Sequence, residues 1–217
     1  MNRESGISEV ERGLLRFFRR VCDKFLQKKG SFHVAIAGGK TPMQFYRLLS
    51  TQPLAWDRIF FYLSDERYVD ITSTASNYRN IRENLGYKAR LFPVDTSLPP
   101  TESAKLYSYL LPPSLDMALL GVGVDGHTAS IFPATHCHAV TEKVCVTKAP
   151  DGITRISLTE EYLRSSCLVV FLVKGEEKQH VIRKDLYDVN KPAGRVRGRR
   201  GTYLFSDMTC HTFTKIL

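Results

Sequence analysis

Met117-Ala118-Leu119-Leu120, an apolar run, leads directly into Gly121-Val122-Gly123-Val124-Asp125-Gly126-His127-Thr128-Ala129-Ser130-Ile131-Phe132-Pro133. A buried strand that breaks into glycines and then presents Asp125 and His127 is how an open α/β sheet places reactive groups at a strand's C-terminal end. The glycines let the backbone approach a ligand closely. His127 brings the one side chain whose ordinary pKa lies near neutrality. Taken alone, the stretch reads first as a strand-to-helix turn with a capping Asp125 and a surface His127, so the residues around it must overturn that reading.

Toward the N-terminus, Phe32-His33-Val34-Ala35-Ile36-Ala37 is a short strand that runs into Gly38-Gly39-Lys40-Thr41-Pro42 and then into a helical stretch over residues 43–49. Free N–H groups at such a turn, reinforced by the helix dipole, form a cradle for phosphate, and a plain turn is the other reading. The spacing is not that of a Walker loop, which disfavours a nucleoside triphosphate there. A second apolar strand, residues 58–63, ends in Ser64-Asp65-Glu66-Arg67-Tyr68-Val69, where the charges read as a solvated loop with an internal ion pair. Before both strands, Ser8-Glu9-Val10-Glu11 has the form of a capping box. Val10, Leu14, Phe17, Val21 and Phe25 then recur at helical spacing up to Gly30.

Further helices are predicted after Ser76-Asn77, from about residue 101, at Thr159 and over residues 176–186. Strands are predicted at 90–93, 144–146, 155–158, 167–173 and 202–205, with a turn at Pro150-Asp151-Gly152. Strand and helix alternate throughout without repeats. That pattern predicts an α/β fold over residues 1–217, a single domain built on a doubly wound, mostly parallel sheet with helices on both faces.

Composition narrows the classes. Five cysteines without a Cys-x-x-Cys pair signal neither a disulfide framework nor a zinc knuckle, and reduced thiols are expected. His136-Cys137-His138 invites a metal reading but falls short of the usual four ligands. No apolar run is long enough to span a bilayer, so a cytoplasmic protein is expected. The 31 Lys and Arg against 22 Asp and Glu give a net charge of +9. Much of the excess sits in Arg16, Arg19, Arg20, Lys24, Lys28 and Lys29, and in Lys191, Arg195, Arg197, Arg199 and Arg200. Aromatic residues do not interleave with these runs as a nucleic-acid stacking platform requires, and a field that draws in small anions fits as well.

Read together with Gly38-Gly39-Lys40-Thr41-Pro42, Asp65-Glu66-Arg67-Tyr68-Val69 and Ser76-Asn77, the stretch at 121–133 resembles the 6-phosphogluconolactonase family. Arg155-Ile156-Ser157-Leu158-Thr159, Gly175 with Lys178, and residues 195–207 follow in the family's order, so the resemblance spans nearly the whole chain. In the related glucosamine-6-phosphate deaminases the shared Asp-Gly-His continues into Asn-Glu-Pro. Here His127 is followed by Thr128-Ala129-Ser130, and the deaminase's glutamate is missing. The family usually has serine where Lys40 stands.

The resemblance implies hydrolysis of 6-phospho-D-glucono-1,5-lactone to 6-phosphogluconate in the oxidative branch of the pentose phosphate pathway. His127 is assigned as general base toward water, Asp125 as the carboxylate that orients it, and Arg67 as the cation for the carbonyl oxygen or the substrate. Gly38, Gly39, Lys40 and Thr41, with Arg155 and Lys178, are the phosphate candidates, and Asp65 and Asn77 complete the expected binding set. No metal or organic cofactor, no nucleic acid and no membrane is expected. The alternatives are a deaminase or isomerase of amino-sugar phosphates on the same scaffold, and a sugar-phosphate-binding protein without turnover.

Overall fold

The computed structural model describes residues 7–134, 137–208 and 213–216. Helix α1 (Glu9–Lys29) buries Val10, Leu14, Phe17, Phe18, Val21 and Cys22 along one face and stops at Gly30, whose φ of 77° is the left-handed cap conformation. Its N-terminus departs from the expected capping box. The Ser8 hydroxyl donates to the Glu11 carboxylate instead of accepting from a backbone N–H, and Glu11, fully buried, forms an ion pair with Lys174. A carboxylate buried that deeply needs a cation, and the helix start yields it to one.

The chain continues through β1 (Phe32–Ile36), α2 (Met43–Ser50), β2 (Ile59–Leu63), β3 (Asp65–Arg67), α3 (Asn77–Leu85), β4 (Arg90–Phe92), α4 (Pro100–Leu110) and β5 (Met117–Leu120). Then follow β6 (His138–Ala139), β7 (Val144–Lys148), β8 (Thr154–Leu158), α5 (Glu160–Arg164), β9 (Leu168–Val173), α6 (Gln179–Arg183), α7 (Pro192–Arg195), β10 (Gly201–Ser206) and β11 (Phe213–Ile216). Seven strands form one sheet in the order β11-β10-β9-β5-β1-β2-β4, parallel except for β11. This is the doubly wound, mostly parallel sheet that the alternation predicts. From β1 the chain winds outward through β2 to β4, and later through β5 to β9 and β10. The gap between β1 and β5 is therefore the topological switch point, where loops leaving two adjacent strands diverge and open a crevice.

Several expectations are corrected. Residues 65–67 are no solvated loop. They form β3, pairing Asp65 with Ser157, Glu66 with Ile156 and Arg67 with Arg155 in a second, four-stranded antiparallel sheet of order β3-β8-β7-β6. A three-residue polar strand carries no apolar run, so hydrophobic patterning misses it. The helix expected over 176–186 is broken into a 3₁₀ turn at Glu176–Lys178, α6, and a second 3₁₀ turn at Asp185–Tyr187, and β11 adds an antiparallel edge. The thiol expectation fails for one pair. Antiparallel pairing of β6 with β7 brings Cys137 and Cys145 within a Cα separation of 5.6 Å, and they form a disulfide, while Cys22 and Cys167 are free. His136 lies outside the described residues. Among the described residues no group of His, Cys, Asp or Glu is arranged to hold a metal, and no helix is long and apolar enough to cross a membrane.

Candidate active site

Loops from β1 and β5, together with β3 and β8, enclose a cleft of about 600 Å³ at the switch point. Gly38, Gly39, Lys40, Thr41, Asp65, Arg67, Asn77, Asp125, His127, Arg155 and Lys178 all line it.

After β5 the backbone turns tightly. Gly123 N–H donates to His127 O at 2.9 Å, Gly126 N–H donates to Gly123 O at 3.0 Å, and Gly126 takes φ of 84°. The turn folds the His127 ring back over Asp125. His127 Nδ1 lies 2.6 Å from Asp125 Oδ1, which also accepts the His127 backbone N–H at 3.1 Å. A Cβ on Gly123 would overlap that ring, so this position tolerates only glycine. Phe132 packs against the imidazole at a centroid distance of 4.7 Å. With Nδ1 committed to the carboxylate, Nε2 has no protein partner among the described residues and carries the available lone pair. Burial pushes the Asp125 carboxyl up, but the His127 N–H, the imidazole's charge and its side-chain bond outweigh that and hold it below its ordinary value.

The loop is held from behind. Three consecutive carbonyls, those of Val124, Asp125 and Gly126, accept respectively from His180 Nε2 at 2.7 Å, Lys191 Nζ at 3.0 Å and Ala193 N–H at 3.0 Å. The donors sit on a segment that is itself braced. Arg197 donates to the carbonyls of Ala193, Val196 and Leu186, and Arg195 pairs with Glu160 at 2.8 Å. Lys191, Arg195 and Arg197 of the C-terminal basic stretch thus serve the loop's geometry.

Opposite, Glu66 is only 2% exposed. Its carboxylate accepts from the N–H groups of Arg67, Asn77 and Tyr78, each at 2.7 Å, and from Ser76 Oγ at 3.2 Å. Burial raises its pKa, and the three N–H bonds work against that rise. These bonds fix the start of α3 to β3 and so set Asp65, Arg67 and Asn77 around the cleft. The ion pair expected within 65–67 does not form. Arg67 Nη1 instead donates to Ala75 O at 2.9 Å, and Asp65 accepts from Ser64 Oγ and Ser130 Oγ, both at 2.8 Å. Asn77 Nδ2 donates to Asp65 O at 3.0 Å, and its Oδ1, beside Gly38, is buried without a partner among the described residues. Arg155, 6% exposed, is ion-paired with Asp151 at 2.6 Å. The N–H groups of residues 38–41, which line the cleft, meet no protein acceptor among the described residues.

The chain matches the family described as "Glucosamine-6-phosphate isomerases/6-phosphogluconolactonase" over residues 7–205. It is 37% identical over 198 residues to a 6-phosphogluconolactonase from Thermotoga maritima, covering 86% of this chain and 89% of that protein. It belongs to this family. A Synechocystis 6-phosphogluconolactonase is 33% identical over 191 residues, covering 80% of this chain and 78% of its own. The crystal structure of the Thermotoga maritima enzyme superposes with a TM-score of 0.84 at 36% identity, over 92% of this chain and 95% of that one.

Within the glucosamine-6-phosphate isomerase/6-phosphogluconolactonase family frame, sequence reasoning missed several residues around the cleft. Ser130, which fixes Asp65, and Phe132, which backs His127, lay inside the quoted motif but carried no signal of their own. Ala129 takes an unusual positive φ of 48° there. Glu66 looked like one more surface charge. His180 and Lys191 lie far along the chain, and only the fold shows what they touch.

Proposed function

We propose that this chain hydrolyses 6-phospho-D-glucono-1,5-lactone, with His127 as the base and the loop at 38–41 as the phosphate cradle. The observation that carries the reading is the Asp125–His127 pair, whose Nε2 and four neighbouring backbone N–H groups in the same cleft have no partner among the described residues, beside the cations Lys40, Arg67, Arg155 and Lys178. Nε2 takes a proton from water as the water oxygen bonds to the lactone carbonyl carbon. Negative charge gathers on the carbonyl oxygen, where Arg67 is the cation at hand. As the tetrahedral species collapses, the bond from that carbon to the ring oxygen breaks, and the ring oxygen takes the proton back from the imidazolium. Asp125 holds the ring in the required tautomer throughout and supports its transient charge. Lys178, Lys40 and the N–H groups of residues 38–41 hold the 6-phosphate, and Arg155, already paired with Asp151, lends charge from the wall. The buried Asn77 Oδ1 is an acceptor for a sugar hydroxyl, and Asp65 is another.

On this reading the chemistry is supplied by side chains, backbone N–H groups and water, in a single cytoplasmic domain. The glutamate of the deaminase motif is absent from residues 128–130, which disfavours amino-sugar deamination. The deciding experiment measures opening of freshly generated 6-phosphogluconolactone in excess chelator, corrected for spontaneous hydrolysis, beside glucosamine 6-phosphate. Turnover of the lactone alone supports the proposal. A rate equal to the buffer background would leave a sugar-phosphate-binding protein, and loss in chelator restored by a divalent ion would require a metal.

A further inference from the structure

Arg67 and Arg155 stand directly opposite each other in the antiparallel pairing of β3 with β8, and both line the cleft. Residues paired in this way share a face of the sheet, so two guanidinium groups are brought to one wall, where like charges repel. The hairpin between β7 and β8 answers them with a carboxylate. Its tip is closed by Gly152 N–H donating to Ala149 O at 2.8 Å and by Ala149 N–H donating to Ile153 O at 3.1 Å, with Gly152 at φ of 79°. Asp151, at that tip, accepts the Ile153 N–H on Oδ1 at 3.0 Å and presents Oδ2 to Arg155 Nη2 at 2.6 Å. Arg155 Nη1 donates to Ile153 O at 3.1 Å.

The carboxylate is placed by its own turn, since the Ile153 N–H fixes one of its oxygens whatever Arg155 does. It is ionised at neutral pH. The Ile153 N–H, then Arg155, and more weakly Arg67, hold its carboxyl below the ordinary value against the opposing effect of burial. Of the four cations that line the cleft, only Arg155 is ion-paired among the described residues, and its partner Asp151 is half-exposed at the rim. Asp151 therefore lowers the positive potential of one wall. Hydrolysis changes what that wall meets. The lactone brings one anionic group, its phosphate, and ring opening makes a second, a carboxylate at the carbon whose oxygen Arg67 serves. A wall of unopposed cations would hold that product more tightly than the substrate, and bound product blocks the next turnover.

We infer that Asp151 is a specificity-determining residue that sets the cleft against its own product, its charge offsetting the Arg67 and Arg155 wall and weakening the hold on the new carboxylate. The inference rests on the hydrolytic reading for where that carboxylate forms. The test is calorimetric titration of the intact chain and of Asp151→Asn with 6-phosphogluconate and with glucitol 6-phosphate, which keeps the carbon chain and the phosphate but has an alcohol in place of the carboxylate. The Asn amide oxygen can still accept the Ile153 N–H, so the turn survives the loss of charge. Asp151→Asn should bind 6-phosphogluconate about three- to tenfold more tightly, the effect of removing one half-exposed like charge, and glucitol 6-phosphate within about twofold of the parent. Added 6-phosphogluconate should inhibit lactone opening by the variant at correspondingly lower concentration, while Asp151→Glu, which keeps the charge, should stay near the parent. If Asp151→Asn fails to fold, Asp151→Ser, whose hydroxyl caps the same turn, takes its place in each measurement. Unchanged or weaker binding of 6-phosphogluconate would overturn the inference and make Asp151 a clamp that orients Arg155. Equal tightening of both ligands would overturn it too, since Asp151 would then oppose the phosphate. A parent that binds both ligands without opening the lactone would reject the hydrolytic reading, while the contrast between the ligands still decides what Asp151 does; a parent that binds neither would reject both.

Discussion

The imidazole of His127 is the group on which the proposed chemistry turns, and its replacement separates proton transfer from binding. His127→Asn keeps a polar side chain but cannot shuttle a proton near neutral pH. Turnover of the lactone should fall about 10²- to 10⁴-fold with little change in substrate affinity, as read by initial rates on protein of unchanged circular dichroism. Asp125 can be tested without substrate. Its folded carboxyl titrates below the ordinary value, so it adds stability above the ordinary carboxylate range and loses that contribution as pH falls through its own lowered value. Asp125→Asn should therefore unfold at a lower denaturant midpoint than the parent at neutral pH. The two curves should converge well below the ordinary carboxylate pKa of about 4. Lys40, where the family resemblance implies serine, needs two substrates. Lys40→Ala should cut kcat/KM for the phosphorylated lactone roughly 10- to 150-fold, the worth of one charge-assisted contact, and leave unphosphorylated gluconolactone nearly untouched. Equal losses on both would point to a distorted loop instead.

At the scale of elements, the loop after β5 was legible because Gly121, Gly123, Gly126 and His127 are chemically conspicuous, whereas its supports were not. Nothing in Lys191-Pro192-Ala193 announces that its donors will cap the carbonyls of Asp125 and Gly126, since that depends on how α7 returns to the sheet. Lys191→Met keeps the methylenes that pack on Gly126 and removes the ammonium. Turnover should drop about tenfold with KM held, because the base is misdirected and the substrate grip is not. Lys191→Arg should restore part of the rate. A rise in KM with unchanged kcat would instead place Lys191 among the substrate's own contacts. The second sheet was hidden for a related reason. β3 is three polar residues, and its partner β8 reads from sequence as one more strand of the main sheet, because pairing direction leaves no trace in local composition.

For the whole molecule, periodicity and the order of motifs disclosed the parallel sheet and the blocks that surround its cleft, since both rest on local pattern. The disulfide of Cys137 with Cys145 and the buried Glu66 hub are products of tertiary geometry and stayed out of reach. The net charge of +9 also acts on the molecule as one body. It should draw a phosphorylated substrate inward, so kcat/KM for 6-phosphogluconolactone should fall as ionic strength rises through about 0.1 M, where the screening length is about 10 Å. Stopped-flow rates with gluconolactone as control would check this, and parallel salt curves for the two lactones would deny any steering. The three carbonyls of residues 124–126 have a consequence in time as well. During translation His127 leaves the ribosome well ahead of Lys191 and Ala193, and at about 5–20 residues per second the nascent chain spends seconds with the Asp125–His127 loop made before the donors that brace it. On the proposed reading, a chain that stops short of residues 191–193 lacks two of the three donors that hold these carbonyls, and its base is aimed less well.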